Sequence, residues 1–121
     1  MGAGNDTIRS TGTTLIDEII SDFNSSGTDI IQISDAAYVF VVGDGSKSGA
    51  LVDNVDIFDT ANVFGGSFTG GSGITFLYDT ADGQVCYDAD GSGGVGSAIL
   101  LFTIANFASY TYDATDFVAV V

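Results

Sequence analysis

The chain has 121 residues, and its 16 acidic side chains against 2 basic ones give a formal net charge of −14. This charge disfavours partners that require neutralised phosphates, so neither nucleic acid nor an anionic membrane surface is an expected partner. With no histidine and a single cysteine, Cys86, the chain can form no Ser/His/Asp triad, no Cys/His pair and no thiolate zinc cluster, and we predict that it is not an enzyme.

The spacing of the apolar runs predicts an all-β fold. Short aliphatic and aromatic runs recur every 8 to 15 residues or so, separated by turns rich in Asp, Gly, Ser and Thr. The longest unbroken apolar run, Ala36–Val42, has seven residues, so no membrane span is expected. The predicted strands, in chain order, are Thr14–Ile20, Asp29–Ile33, Tyr38–Val42, Leu51–Phe58, Ile74–Tyr78, Gln84–Tyr87, Ala98–Ile104 and Phe117–Val121.

The first informative segment follows the initial methionine and matches a calcium-binding nonapeptide, G-G-x-G-x-D-x-U-x, with Met1 in place of its first glycine. In that repeat, glycines let the backbone turn tightly and direct carbonyl oxygens at a cation, while the aspartate adds negative charge. Calcium suits such a site because it takes six to eight oxygen ligands at flexible angles. An ordinary turn is the alternative. The candidate ligands here are Gly2, Gly4, Asn5 and Asp6.

The second segment has the pattern D-x-I-x-x-D-F…G-x-D-x-I-x-I-S, beginning at Asp17 and ending at Ser34. Its second half alternates, so Ile31 and Ile33 should face one way along a strand, and Ile30 and Gln32 the other. Three carboxylates cluster around the intervening loop and are candidate metal ligands, with solvated turn charges as the alternative. These carboxylates belong to Asp17, Asp22 and Asp29.

The third segment, from Phe76 to Gly94, combines a hairpin with an oxygen-rich loop. Asp82-Gly83 predicts the hairpin turn. Asp88 and Asp90 then alternate with small residues as in the first half of an EF-hand loop, but the twelfth position is Ile99 where an EF-hand has a bidentate glutamate. An EF-hand is therefore excluded, and a looser calcium loop or a plain polar turn remains.

In this order, the three segments resemble the C-terminal end of RTX (repeats-in-toxin, hemolysin-type calcium-binding) proteins, and the final stretch from Asp116 to Val121 resembles their secretion tail. The resemblance implies the end of a parallel β-roll that continues into a β-sandwich-like domain of short strands and hairpins. It also implies calcium as the bound ion, export by type I secretion machinery, and folding outside the cell or at its surface. No N-terminal secretion signal is expected after Met1.

We interpret residues 1–121 as a single domain, with a β-roll remnant and cap over 1–34 and a β-rich part with the secretion tail over 35–121. A β-roll needs several stacked repeats, and at most one is present. The chain is therefore either a piece of a longer protein or a small protein that keeps only the end of the architecture. The alternative function is a structural subunit that self-associates through exposed strands into a surface layer or fibre.

Other polar and aromatic residues are expected to have structural roles. Asp53, Asp56 and Asp59 recur every third residue and are predicted to be solvated charges on an edge strand. Cys86 is predicted to be a small core residue, because no base is available to activate it. Core and cross-strand packing, rather than a sugar-binding surface, is expected for Tyr78, Tyr87, Tyr110 and Tyr112.

Overall fold

A computed structural model shows two β-sheets that share one hydrophobic core; it describes residues 3–10, 18–35, 37–38, 48–61, 76–88 and 98–121. The all-β prediction is confirmed for these residues. The described strands are β1 Thr7–Ser10, β2 Glu18–Ile20, β3 Ile30–Ser34, β4 Gly49–Ala50, β5 Ile57–Thr60, β6 Phe76–Asp79, β7 Gln84–Asp88, β8 Ala98–Ile104 and β9 Phe117–Val120. A short 3₁₀ helix, Ala114–Asp116, precedes β9.

The four-stranded sheet has the order β1-β3-β9-β4 and is mostly parallel. Thr7 pairs with Ile30 in the parallel β1–β3 ladder, and Ile31 pairs with Phe117 in the parallel β3–β9 ladder. Between β1 and β3 the chain contributes β2 to the other sheet. The first three strands therefore follow a coil-like path that crosses from one sheet to the other and returns one strand along.

The five-stranded sheet has the order β2-β8-β7-β6-β5 and is mixed. Strands β6 and β7 form an antiparallel hairpin, whereas the two outer pairs, β2 with β8 and β5 with β6, are parallel. The hairpin confirms the turn predicted at Asp82-Gly83, where Gly83 has a positive φ of 78°. A bulge between Val85 and Cys86 interrupts the β7–β8 register.

The core lies between the sheets because each contributes one apolar face. In β3, Ile31 and Ile33 are fully buried while the alternating residues of the strand are half-buried, as predicted. They belong to the same cluster as Val85 and Phe102 from the other sheet. Tyr38 lies within this cluster and packs edge-on against Phe76 and Tyr87, with ring centroids 5.6 and 5.0 Å away.

Most predicted strands have counterparts in the structure, with one clear error. The predicted strand Leu51–Phe58 is wrong over residues 51–56, which form a turn between β4 and β5, whereas residues 57–58 begin β5. Asn54 adopts a positive φ of 59° within that turn, a conformation that short polar side chains tolerate and extended strands exclude. Strand β1 was not predicted. Parts of three other predicted strands, residues 14–17, 39–42 and 74–75, lie outside the described residues.

The turn over residues 51–56 gives one of its aspartates a role that differs from the predicted one. Asp53 and Asp59 are exposed, as predicted, but Asp56 is 1% exposed and is no solvated edge charge. Its Oδ2 accepts the backbone N–H of Val52 at 2.8 Å and so helps close the turn. A carboxylate used in this way replaces a backbone partner that the turn would otherwise lack.

The expected core roles of Cys86 and of two tyrosines are confirmed by burial. Cys86 is fully buried and packs with Leu77 in a second, smaller cluster. Burial, with smaller contributions from the nearby carboxylates, raises the pKa of its thiol to about 12, which keeps it protonated at neutral pH. Tyr78 and Tyr87 are 2% and 3% exposed. Among the described residues, no helix is long and apolar enough to cross a membrane.

A buried hydroxyl pair links β1 to the core and predicts coupled effects on stability. Ser10, 2% exposed, hydrogen-bonds to the hydroxyl of the fully buried Tyr38. Ser10→Ala and Tyr38→Phe should each lower the free energy of unfolding by about 1–2 kcal/mol, because each removes the same buried hydrogen bond. The double variant should lose less than the sum, by about 1 kcal/mol. Urea unfolding in calcium-containing buffer measures all four proteins, and strictly additive losses would contradict the coupling.

Candidate functional site

The candidate site is an acidic turn cluster formed by Asp6, Asp22, Asn24, Asp29 and Asp116. Asp29 lies at its centre and is 1% exposed. Its Oδ1 accepts the backbone N–H of Asp6 at 2.9 Å, and its Oδ2 accepts the backbone N–H of Asn24 at 2.7 Å. One carboxylate therefore fixes the backbone that leads into β1 and the loop that leads into β3.

The same loop is tied to the end of the chain. The Asn24 side chain accepts the backbone N–H of Asp29 and donates from Nδ2 to Asp116 Oδ2 at 2.8 Å. The Tyr110 hydroxyl donates to the same Asp116 oxygen at 2.9 Å. Asn24 has a positive φ of 51°, which asparagine adopts more readily than most residues because its amide bonds locally to the backbone. Asp116 thus joins the acidic turn cluster to the start of β9.

Close backbone contact holds the two turns of the cluster together. Gly4 N–H donates to the carbonyl of Ser26 at 3.1 Å, and Asn5 Oδ1 accepts the backbone N–H of Thr28 at 2.9 Å. Gly27 lies against them with a φ of +102°, and a Cβ there would lie 2.0 Å from the carbonyl oxygen of Gly4. Only glycine fits this position. Two of the predicted ligands, Gly4 and Asn5, are therefore used in joining the turns.

The cluster concentrates negative charge, and none of the hydrogen bonds given above for it comes from a basic side chain. Burial, together with the nearby carboxylates of Asp113 and Asp29, raises the pKa of Asp116, although the bonds from Tyr110 and Asn24 oppose the shift. Burial also raises the pKa of Tyr110, so its hydroxyl stays protonated and can donate. Asp6 Oδ2 is buried and accepts no hydrogen bond from any residue that the structure describes. A buried carboxylate oxygen in that state favours a bound cation.

The fit of calcium to the predicted ligands is partial within the described residues. Asp6, Asp22 and Asp29 lie in the adjoining turns of the cluster, yet no three acidic or thiol side chains of the described ranges are arranged to hold one ion. Asp88 lies at the far end of β7 from the loop that follows β2, about 13 Å along the strand. It is fully buried and cannot share that site. The predicted ligands Gly2, Asp17 and Asp90 lie outside the described residues.

The sequence analysis did not identify several residues that belong to the cluster or bond to its loop. Asn106 bonds to both backbone groups of Phe23, in the loop after β2. Its Oδ1 accepts the Phe23 N–H at 3.0 Å, and its Nδ2 donates to the Phe23 carbonyl at 2.7 Å. Asn106 and Asp116 bond to the loop after β2 from positions 83 and 92 residues further along the chain, and Tyr110 bonds to Asp116. No local pattern marks such partners.

When the chain is compared with protein-family models, with curated proteins and with solved structures, nothing matches it. The geometry of the acidic turn cluster and the sequence pattern therefore carry the functional argument.

The close approach at Gly27 predicts a large loss of stability from a single methyl group. Gly27→Ala should lower the free energy of unfolding by about 3 kcal/mol or more, because the Cβ would collide with the Gly4 carbonyl at a strained φ. Gly4→Ala is the matched control: its φ is +131°, but a Cβ there meets nothing within 4 Å. That variant should lose only the backbone strain, about 1–2 kcal/mol. Equal losses in urea unfolding would contradict the proposed contact.

The raised pKa of Asp116 predicts a pH dependence with a definite sign. The folded state holds this proton more tightly than the unfolded chain, so the stabilisation is complete below the unfolded pKa and is lost as the pH rises through the raised pKa. Between about pH 4 and pH 7, wild-type protein should therefore lose more free energy of unfolding than Asp116→Asn. Urea unfolding at both pH values measures the difference.

Asp113→Asn tests the cause of the shift, because the charge of Asp113 contributes to the raised pKa of Asp116. This variant should therefore also lose less free energy of unfolding than wild type between about pH 4 and pH 7, by a smaller difference than Asp116→Asn shows. Parallel pH profiles for wild type and Asp116→Asn would show that Asp116 is not the group responsible.

Proposed function

We propose that this protein is a secreted calcium-binding module similar to the C-terminal end of RTX proteins. In this proposal the chain leaves the cell through type I secretion machinery, guided by its C-terminal tail, and folds when it meets calcium outside the cell or at its surface. Calcium would be held by oxygens of the acidic turn cluster, with Asp6 as a direct ligand, and by residues near it in the same segments.

The observation that carries the proposal is the buried Oδ2 of Asp6, which accepts no hydrogen bond within the part of the chain that the structure describes. Asp29, next to it, already accepts two backbone N–H groups and cannot give a proton to a neighbouring carboxylate while ionised. Calcium is a hard cation that accepts carboxylate, amide and backbone oxygens together. Bound there, calcium would neutralise the negative charge of Asp6 and part of the remaining negative charge of the cluster.

The path of the first three strands also supports a β-roll interpretation. Strands β1 and β3 are parallel neighbours, and β2 between them belongs to the opposite sheet. The turn that enters β1 carries the nonapeptide-like residues Gly4, Asn5 and Asp6, directly beside the turn that enters β3. In a roll, calcium ions lie between successive turns and draw ligands from both, so this juxtaposition suits such an ion.

The charge of the chain supports a role for calcium in folding. With 16 acidic groups against 2 basic ones, the compact state is destabilised by its own repulsion. A divalent cation that binds only the folded state shifts the equilibrium toward it by mass action. Folding would then be coupled to the calcium concentration around the protein, which fits a chain that must remain unfolded during export.

Self-assembly is the second candidate function, and one observation favours it. Ile19 in β2 is 67% exposed on an edge strand of the five-stranded sheet. A large apolar side chain on a sheet edge is a template for pairing with another chain unless it is covered. A structural subunit that adds strands from its neighbours would bury Ile19, with calcium bridging acidic faces.

A calcium titration tests both functions at once. Far-UV circular dichroism and sedimentation velocity should show a chain that gains β-structure as calcium rises and remains a monomer. Magnesium at the same concentration should be much less effective, because it requires a tighter octahedral ligand set. Calcium-dependent growth into large species would instead favour the structural subunit. A spectrum and a size that respond neither to calcium nor to a chelator would refute the calcium proposal.

Asp6→Asn locates the effect at the acidic turn cluster. It preserves the shape of the side chain and the backbone N–H that donates to Asp29, but it removes the charge. The calcium concentration at the folding midpoint should rise about ten-fold or more. Asp59→Asn is the matched control with the same change in charge, and Asp59 is an exposed residue of β5 outside the cluster. Equal shifts for the two variants would indicate general charge screening instead of a site.

A further inference from the structure

Strand β9 lies in the interior of its sheet, between β3 and β4. Phe117 pairs with Ile31 on one side, and Val118 pairs with Ala50 on the other. Phe117 and Ala119 are 0% and 1% exposed, so β9 also supplies part of the shared core. If β9 left the sheet, β3 and β4 would lose the strand that joins them and the core would open on that side. The insertion of β9 therefore determines whether the four-stranded sheet is complete.

The entry of the chain into β9 is held by the carboxylate of Asp116, the residue before the strand. Its Oδ2 accepts the Tyr110 hydroxyl at 2.9 Å and the Asn24 Nδ2 at 2.8 Å. Tyr110 lies 6 positions before Asp116, so its hydrogen bond is local. Asn24 lies 92 positions before Asp116, in the loop after β2. The bond from Asn24 therefore connects the entry of β9 to the loop of the acidic turn cluster.

Asn24 contacts Asp29 through the same side-chain amide. Its Oδ1 accepts the Asp29 N–H, while its backbone N–H donates to Asp29 Oδ2 at 2.7 Å. Oδ1 and Nδ2 belong to one planar amide, so this group cannot turn away from Asp29 without also moving away from Asp116. Asp29 Oδ1 in turn accepts the Asp6 N–H at 2.9 Å. The contacts therefore form one chain from Asp6 through Asp29 and Asn24 to Asp116.

Negative charge makes one end of this chain of contacts sensitive to a cation at the other end. The charge of Asp29 acts on Asp116, and so does that of Asp113. Like charges at short range destabilise each other, more strongly in partly buried surroundings than in water. A cation at Asp6, beside Asp29, would offset this repulsion. Without the cation, the repulsion is opposed by the two hydrogen bonds that Asp116 accepts.

We infer that Asn24 is a positioning residue that couples the binding of a cation at Asp6 to the insertion of β9. With the cation bound, the Asn24 amide keeps its orientation and holds Asp116 at the entry of the strand. When the cation leaves, Asn24 releases Asp116, and β9 opens before the β6–β7 hairpin, which belongs to the other sheet. This coupling rests on the proposed calcium function and adds to it the part of the fold that calcium controls.

Hydrogen–deuterium exchange of the full chain, followed by mass spectrometry, tests the coupling at calcium concentrations above the folding midpoint. The amides of residues 117–120 in β9 should exchange faster than those of residues 84–88 in β7. Because each opening of β9 releases the bound ion, a ten-fold rise in free calcium should slow exchange at 117–120 by about ten-fold. Equal exchange rates in the two strands at every calcium concentration would overturn the inference, as would exchange at 117–120 that does not respond to calcium.

Two variants break the bond between Asn24 and Asp116 from opposite ends, so the test stands if one of them does not fold. Asn24→Gly removes the amide, suits the positive φ of 51° and keeps the backbone N–H that donates to Asp29. Asp116→Ala removes the acceptor and leaves the bonds between Asn24 and Asp29 in place. In both, β9 should open without releasing calcium, so exchange at 117–120 should change by less than about two-fold over the same rise. A response of about ten-fold in either variant would refute the role of Asn24.

Tyr110→Phe is the matched control, because it removes the other hydrogen bond to the same Asp116 oxygen and leaves the Asn24 bond in place. Exchange at 117–120 should become faster at every calcium concentration but should keep a response of about ten-fold. Loss of that response in Tyr110→Phe would overturn the inference, since any weakening at Asp116 would then have the same effect.

The circular dichroism titration separates this coupling from the calcium function on which it rests. If β-structure does not respond to calcium, the calcium site itself is refuted and the coupling with it. If β-structure responds normally while residues 117–120 and 84–88 open together, only the coupling is refuted.

Discussion

The buried carboxylate of Asp29 is the constraint on which the arrangement of the four-stranded sheet depends. By accepting the backbone N–H groups of Asp6 and Asn24, it holds the turns that enter β1 and β3 side by side, in register with each other. The first hydrogen bond between the strands, from Ile30 N–H to the Asp6 carbonyl, follows directly. Asn24 then extends the network to Asp116 at the start of β9. Three neighbouring strands of one sheet are thus aligned from a single acidic group.

The chain uses aspartate in its turns where other proteins use proline, which it lacks entirely. Asp56 accepts Val52 N–H in the turn before β5, and Asp79 accepts Ala81 N–H in the turn after β6. Both are 1% exposed. Since an aspartate side chain can bond to a backbone N–H nearby, it favours a turn without fixing φ. Part of the negative charge of the chain is therefore used to form turns, and the repulsion between these carboxylates destabilises the folded state.

The sequence predicted the strands better than it predicted the site, for a physical reason. Alternation in β3 could be recognised because burial on one face repeats every second residue. The complete span of β8 could be recognised as a run of aliphatic, aromatic and β-branched residues. The 51–56 turn was missed because its apolar residues, including the half-exposed Val52 and Val55, imitate a strand. At the acidic turn cluster, Asp6 and Asp29 could be identified from local motifs. Asp116 and Asn106, which bond to Asn24 and Phe23 of the loop after β2, are distant in sequence, and no pattern in a single chain reveals such pairs.

The hydrogen bonds divide the aspartates into two kinds. Where both oxygens accept backbone N–H groups, as in Asp29, the charge is already stabilised and the group shapes the fold. Asp6 Oδ2, buried beside it, accepts no such hydrogen bond from any described residue. With Arg9 as the one basic residue in the described ranges, the protein itself offers few cations to these groups. In the calcium proposal, a compact divalent ion from solution would supply the positive charge at the enclosed oxygen of Asp6.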